Sequence, residues 1–259
     1  MRAAVFVDGE NLRFAINKIF ANNEHNYRQT DYLPKKADWD KLFDYVVAEV
    51  AKIFSSECER VRTYWYVVDQ VRPWYVPRND VQFQSWREQN EKRLSQFANL
   101  SCLSDKELGD ELQLRADKIM RRFDGFKKIQ NDIAQKHVAI EFRRSGTISY
   151  NLLEKKLGKE KTVDVNLSVD MVLMRDFYDL FIIVSGDQDY LPAVSAVKNV
   201  GRRVVNVAFA RKGGQPLPDG SKKLSEITDS HILLHYDMLA GFLDIKQSAK
   251  LADVAAAKQ

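Results

Sequence analysis

The chain has 259 residues, of which 45% are hydrophobic and 29% are charged, and its formal net charge is +4. This composition is typical of a globular protein and excludes a disordered chain, while the mild charge allows an anionic partner without requiring one. No apolar run reaches the roughly 18 residues of a membrane-spanning helix, so we expect no membrane span.

The first predicted element is a short buried strand from Ala3 to Val7, and an acid follows it directly. Asp8 therefore stands at the carboxyl end of a strand, before a helix predicted from Leu12 to Phe20. Asn11 either caps this helix or faces a site at the strand end. A structural alternative treats Asp8 and Asn11 as turn and cap residues only.

A helical insertion is predicted at about 72–137. It follows a helix from Trp39 to Phe54 and a β-branched, aromatic strand from Val61 to Val68. Within the insertion, helical segments are predicted from Val81 to Phe97 and from Lys106 to Ala134. An insertion of this length is a candidate for substrate selection.

The second helical segment of the insertion is rich in basic residues. They are Arg115, Lys118, Arg121, Arg122, Lys127 and Lys128. Such a face can follow a phosphate backbone, and Arg115, Lys118, Arg121 and Arg122 are therefore candidate RNA-binding residues. The alternative is an ordinary solvated helix face whose Phe and Ile residues pack inward.

After a strand from Val138 to Phe142, a second acidic region begins. Lys161 and Asp164 open a helix that is apolar almost all round, so we expect it to be buried. Asp170 lies inside this helix, where a carboxylate is costly unless it is paired, hydrogen-bonded or metal-bound. A purely structural pairing of Asp170 with a lysine or a backbone group stays open.

The third acidic region follows five consecutive apolar residues, Leu180 to Val184, which predict a fully buried strand. Asp187 and Asp189 come directly after Ser185 and Gly186. In an open α/β sheet this is the edge where ligands bind. Neighbouring carboxylates repel each other and stay ionised together mainly when a cation lies between them.

The remaining chain predicts a strand from Arg203 to Ala208, a short strand or turn at Ile232 to Leu234, and a last helix from Tyr236 to Ile245. Alternating strands and helices predict an α/β fold with a mostly parallel sheet. If the strands before Asp8 and Asp187 are neighbours, these acids and Asp164 converge. A carboxylate cluster of this kind suits Mg²⁺ or Mn²⁺.

Several motifs, in this order and spacing, resemble the NYN domain family in its bacterial LabA-like branch. They are Val7-Asp8-Gly9-Glu10-Asn11, Lys161-Thr162-Val163-Asp164-Val165 with Asp170-Met171, and Ser185-Gly186-Asp187-Gln188-Asp189-Tyr190 with Pro192, followed by Gly201 to Val204 and Ser221 to Asp229. The resemblance covers roughly 1–70 and 138–234. It departs from the family at Thr162, where a glycine is frequent, and in the length of the insertion.

The resemblance implies a PIN-like sandwich with a central, mostly parallel sheet of five to six strands. We predict a single domain at 1–245 that carries the helical insertion, followed by a frayed tail at 246–259. The implied activity is that of a metal-dependent endoribonuclease that uses Mg²⁺ or Mn²⁺. The family's acidic set falls on Asp8, Asp164, Asp170, Asp187 and Asp189, with Asn11 in support.

Within that set we expect Asp8, Asp164 and Asp187 to bind the catalytic metal. Asp189 and Asp170 would complete a second metal position or orient the water. Lys161 would stabilise phosphate charge, with a structural salt bridge as its alternative.

Two other functions compete with the nuclease. The first is a regulatory module that binds RNA without cutting it, which the acid set disfavours because the acids repel a phosphate backbone. The second is a phosphohydrolase of the haloacid dehalogenase type, which needs a Thr four residues after its nucleophilic Asp. Leu12 stands at that place after Asp8, which argues against this class.

The expected partner is RNA, with DNA as a second candidate substrate, and a dimer is compatible with the sequence. Cys58 and Cys102 lack the spacing of metal ligands. Two ordinary thiols predict a reducing, cytoplasmic setting.

Overall fold

The structure is a computed structural model. It describes residues 1–21, 25, 27, 32–34, 36–77, 79–160, 162–214, 217 and 222–246. The chain divides into two compact units, the first formed by Met1–Val67, Ile129–Arg144 and Val163–Gln259, the second by Val68–Lys128 and Ser145–Thr162. The predicted single domain with an insertion stays a prediction, and all but residue 246 of the predicted tail lies outside the described residues.

The described strands form a sheet of seven members in the order β4-β3-β2-β1-β5-β6-β7. Their bounds are β1 Arg2–Asp8, β2 Glu59–Pro73, β3 Ile140–Asn151, β4 Lys156–Leu157, β5 Leu180–Val184, β6 Arg203–Phe209 and β7 Ser230–Leu234. β1 pairs in parallel with β2 and β5, and the pairs β5–β6 and β6–β7 are also parallel. β3 and β4 pair antiparallel.

The sequence predicted a mostly parallel sheet of five to six strands. The described strands instead form a sheet of seven, and the sheet is mixed because β3 and β4 pair antiparallel. The missed strand, β4, has two exposed residues and joins β3 through the pair Tyr150 and Leu157. A strand this short and exposed leaves no alternation of apolar and polar residues in the sequence.

The helices flank these strands along the chain. Their bounds are α1 Gly9–Phe20, α2 Trp39–Ile53, α3 Asp80–Leu94, α4 Ala98–Ser101, α5 Asp105–Lys136, α6 Thr162–Leu173, α7 Leu191–Asn199, α8 Lys222–Ile227 and α9 Tyr236–Phe242. Short 3₁₀ turns lie at Met174–Asp176 and Gln188–Tyr190. Among the described residues, no helix combines the length and the apolar character needed to cross a membrane.

The centre of the first unit is formed by β1 and β5, which are buried on both faces. Residues 3–7 and 180–183 have no exposed surface, and the rings of Phe6 and Phe181 stack with centroids 5.5 Å apart. The two strands are parallel neighbours, with Val7 opposite Val184. This adjacency confirms the condition on which the convergence of Asp8 and Asp187 depended, because their strands end side by side.

Helix α6 differs from its prediction. It buries one face, through Val163, Leu167 and Met171, whereas Val165 and Val169 on the other face are 56% and 46% exposed. The expectation that the helix is buried all round was wrong, because apolar composition alone does not show which face has a packing partner.

The second unit has its own apolar core. Phe83 on α3 and Leu108 and Leu112 on α5 pack together with Leu152 and Leu153, which follow β3. This core explains why the insertion contains helical apolar spacing beside its many charges.

Candidate functional site

The turn after β5 holds its acids through a chain of short-range hydrogen bonds. The backbone N–H of Asp187 donates to the Ser185 hydroxyl at 3.0 Å, and the N–H of Asp189 donates to the Asp187 carboxylate at 2.9 Å. Asp187 thus caps the 3₁₀ turn Gln188–Tyr190. The turn needs these small and acidic residues because its backbone donors have no helical partner.

Two asparagines fasten this turn to the rest of the first unit. The Asn11 amide oxygen accepts a hydrogen bond from the Gly186 N–H at 3.0 Å, which joins the start of α1 to the turn. The buried Asn206 on β6 donates to the carbonyl oxygens of Ile183 and Ser185. The predicted role of Asn11 in holding a ligand therefore depends on its amide nitrogen, since its oxygen is engaged.

Three carboxylates come together beside the turn. Asp164, Asp187 and Asp189 each offer one oxygen, and these oxygens lie within 4.8 Å of one another. In an octahedral Mg²⁺ site, given metal–oxygen distances of about 2.1 Å, adjacent oxygens lie about 3.0 Å apart and opposite oxygens about 4.2 Å apart. Small side-chain rotations would close the gap, so the three residues fit a hard divalent cation.

Asp8 lies next to this group but is buried, with 5% of its surface exposed. One carboxylate oxygen accepts from the Asn11 N–H at 3.0 Å, and the other accepts from the Ser185 hydroxyl at 3.0 Å. Burial, opposed in part by these hydrogen bonds, raises the pKa of Asp8 to about 6, and the charge of Asp164 adds to the rise.

Tyr190 connects Asp8 to the three carboxylates. Its phenol oxygen lies 3.1 Å from a carboxylate oxygen of Asp8 and 3.1 Å from one of Asp164, and the O–H is the donor in both contacts. Burial, together with the two acids, raises the pKa of Tyr190 far above its usual range. Sequence analysis gave this residue no role, although it directly follows the acidic pair Asp187 and Asp189.

Asp170 lies elsewhere on α6, outside the group of three. One of its carboxylate oxygens accepts from the Tyr66 phenol at 2.8 Å and from the Arg143 guanidinium at 2.5 Å. The Arg143 guanidinium also stacks over the ring of Tyr64, at 4.3 Å from its centroid. The structure thus gives Asp170 the structural pairing that sequence analysis had left open, with arginine and tyrosine as the partners.

The predicted RNA-binding residues separate into two kinds. Lys118, Arg121 and Arg122 on α5 are exposed. Arg115 is buried, pairs with Glu111 at 2.7 Å and donates to the carbonyl oxygens of Leu152 and Leu153. We correct its assignment to a structural residue of the second unit, because its guanidinium is already engaged. Lys161 lies outside the described residues.

Comparison with known proteins identifies the family. A search of curated proteins finds no match. A crystal structure of a protein of unknown function from Vibrio parahaemolyticus aligns over 90% of this chain and 91% of its own, with 14% sequence identity and a TM-score of 0.41. The family model of the NYN domain matches residues 98–233.

This match contains Asp164, Asp170, Asp187 and Asp189, whereas Asp8 and Asn11 lie before it. It also includes part of the helical insertion, which the sequence resemblance had left out. The matched region covers more than half of the 259 residues, and the chain therefore belongs to the NYN domain family.

Proposed function

We propose that this protein is a metal-dependent endoribonuclease that hydrolyses phosphodiester bonds of RNA. The single observation that supports it most is the convergence of Asp164, Asp187 and Asp189 within 4.8 Å in a chain of the NYN family. A module that only binds RNA gains nothing from placing three carboxylates where the phosphate backbone must approach.

Asp164, Asp187 and Asp189 would hold a divalent cation, Mg²⁺ or Mn²⁺. When bound, such a cation supplies Lewis-acid stabilisation of phosphate charge and a more acidic water. Asp8 would support this site from the buried side, because Tyr190 and Ser185 tie it to the residues of the group. The amide nitrogen of Asn11 would donate to a ligand or phosphate oxygen.

Two residues keep the carboxylates in place. Tyr190 holds Asp8 and Asp164 through its phenol, and Ser185 links Asp8 to the backbone of Asp187. Both are positioning residues, since neither needs to touch the substrate. Asp170 would contribute less directly, by anchoring α6 to β2 and β3 through Tyr66 and Arg143.

The test is incubation of the protein with end-labelled single-stranded RNA and DNA in the presence of Mn²⁺, Mg²⁺ or EDTA. We expect RNA fragments with either metal, none with EDTA, and none from Asp187→Asn. Asp176→Asn is the matched control, because Asp176 is an exposed acid outside the group of three.

RNA that is retarded on a native gel but stays intact with every metal would contradict the proposal. That result would favour the RNA-binding module. Cleavage of DNA at the same rate as RNA would instead limit the proposal to nuclease activity without RNA specificity.

A further inference from the structure

A small apolar pocket borders the turn that leads from β5 to Asp187 and Asp189. Its volume is about 230 Å³, and the turn after β5 and the start of α1 form its polar edge, through Ser185, Gly186 and Asn11. The rest of its lining is apolar and comes mainly from α1 and β6. These residues are Phe14, Ala15, Val207, Ala208, Phe209 and Leu217.

The pocket shares its edge with the proposed metal site. Gly186 precedes Asp187 in the chain, and the Ser185 hydroxyl bonds to both Asp8 and the Asp187 backbone. A base bound in the pocket would therefore have its own sugar and phosphate near the turn that carries the acids. The catalytic chemistry itself makes no use of an apolar cavity.

The size and the lining of the pocket favour one planar ring system. Its volume is below the roughly 300–1,000 Å³ of pockets that enclose drug-sized ligands, so a whole nucleotide would not fit inside. Its lining includes two aromatic side chains, Phe14 and Phe209. Phe14 is 42% exposed, which leaves part of its side chain open to a ligand.

Polar groups beside the pocket suit the other two parts of a nucleotide, its ribose and its phosphate. Because the Asn11 amide oxygen accepts from Gly186, its amide nitrogen is the donor that the edge of a base or a ribose hydroxyl could use. The ammonium of Lys18 lies over the Phe14 ring, 5.1 Å from its centroid, and adds a positive charge beside this residue of the pocket.

We infer that this pocket is a subsite for one unstacked base of single-stranded RNA, next to the phosphate that is cut. Proteins commonly read single-stranded RNA by stacking splayed-out bases on aromatic side chains. The inference rests on the proposed function, because it takes the RNA strand to pass over the acids. It adds that the enzyme contacts one base as well as the phosphate backbone.

The test measures binding rather than cutting, so that it stands apart from the nuclease assay. The probes are a labelled ten-nucleotide single-stranded RNA and a series of the same RNA with one abasic residue at each position in turn. Dissociation constants are measured for the full chain carrying Asp187→Asn, alone and combined with each of three further changes.

Phe14→Ala removes the exposed ring, and Ala208→Phe fills the pocket from β6. Phe177→Ala is the control, because it removes a phenylalanine that is more exposed than Phe14, 62% against 42%, and is not among the pocket residues. Base–aromatic stacking changes affinity by about 5- to 150-fold per base, and the half-exposed ring of Phe14 belongs at the lower end.

We expect Phe14→Ala and Ala208→Phe to raise the dissociation constant of the intact RNA roughly five- to tenfold, and Phe177→Ala to leave it unchanged. In the chain that carries Asp187→Asn alone, an abasic residue at one position of the RNA should raise the dissociation constant by the same factor. When Phe14→Ala is also present, that abasic residue should cause no further rise. Equal affinities for all three variants, an abasic series without effect at any position, or a protein that binds no RNA would each overturn the inference.

The outcomes also separate this inference from the proposed function. If the protein cuts RNA with metal but binds every abasic RNA as tightly as the intact RNA, the proposed nuclease activity stands and the proposed base subsite is wrong. If an abasic residue weakens RNA binding but the protein cuts no RNA, the proposed base subsite stands and the proposed nuclease activity is wrong.

Discussion

At the scale of single residues, the acids of this chain have different tasks although they share one side-chain chemistry. Asp164, Asp187 and Asp189 face one another, Asp8 is buried behind them, and Asp170 is paired with Arg143 and Tyr66. Environment, rather than residue type, therefore decides which carboxylates can bind a cation.

Asp170 should matter more for stability than for metal binding. Asp170→Ala leaves the partly buried Arg143 guanidinium and the Tyr66 phenol without this acceptor, which costs about 1–3 kcal/mol. Asp176→Ala, at an exposed acid, should change the free energy of unfolding by less than about 0.5 kcal/mol. Urea denaturation measures both. Equal, small effects would show that the Arg143 pair does not hold α6.

Whether the role of one of these residues could be predicted depends on how far along the sequence its partners lie. The convergence of Asp187 and Asp189 with Asp164 could be expected from the sequence, because buried strands and the ends of elements have local signals. The roles of Asp170 and Arg115 could not, since their partners Arg143 and Leu152 come from other elements, 27 and 37 residues away. No local pattern in the sequence shows which distant residue such a side chain contacts.

At the scale of elements, the junction between β1 and α1 depends on a close approach of two backbones. A Cβ atom on Gly9 would lie 2.6 Å from the Tyr66 carbonyl oxygen and 2.7 Å from a methyl carbon of Val67, both on β2. Neither distance is a normal contact, and the Tyr66 oxygen belongs to a sheet strand that cannot easily move.

Gly9→Ala should therefore lower the free energy of unfolding by about 1–3 kcal/mol, as overpacking of a core does. Gly125→Ala is the control within α5, where an added Cβ meets no atom within 4 Å. It should stabilise the protein by up to about 1 kcal/mol, because alanine loses less entropy than glycine in a helix. Thermal or urea unfolding of both variants tests this contrast. A neutral Gly9→Ala would contradict the close approach.

The exposed basic residues of α5 are expected to follow a phosphate backbone. Lys118→Glu together with Arg122→Glu should raise the dissociation constant for long RNA, and each lost contact should lower the salt slope by about one unit. Lys106→Glu with Lys136→Glu is the matched control, because these exposed lysines lie at the two ends of the same helix.

The measurement is RNA affinity against salt concentration, in the Asp187→Asn background that prevents cutting. Identical salt slopes of RNA affinity for the two double variants would show that this face of α5 is an ordinary solvated helix surface. The prediction no longer includes Arg115, whose guanidinium is buried against backbone carbonyls.

At the scale of the whole molecule, the order of the elements and the class of fold were predictable, whereas the lengths of β2 and β3 were not. Alternation of buried strands with helices indicated the parallel pairing of β1, β5 and β6. The second compact unit forms because β2 and β3 continue past their predicted ends and the apolar residues of α3 and α5 have their own core. A long strand whose outer half is polar gives no signal of where it stops.

The central claim is that Asp164, Asp187 and Asp189 form a divalent cation site. Its most direct test is a calorimetric titration of the protein with Mn²⁺, which requires neither RNA nor activity. Asp187→Asn and Asp176→Asn are titrated in parallel, with urea unfolding in EDTA to show that each variant is folded.

We expect the wild-type protein and Asp176→Asn to bind Mn²⁺ with the same affinity, and Asp187→Asn to bind it at least about tenfold more weakly. In EDTA, Asp187→Asn should be as stable as the wild type or more so, because one of three neighbouring negative charges is gone. Wild-type protein that binds no Mn²⁺, or an Asp187→Asn variant that binds it equally well, would contradict the account.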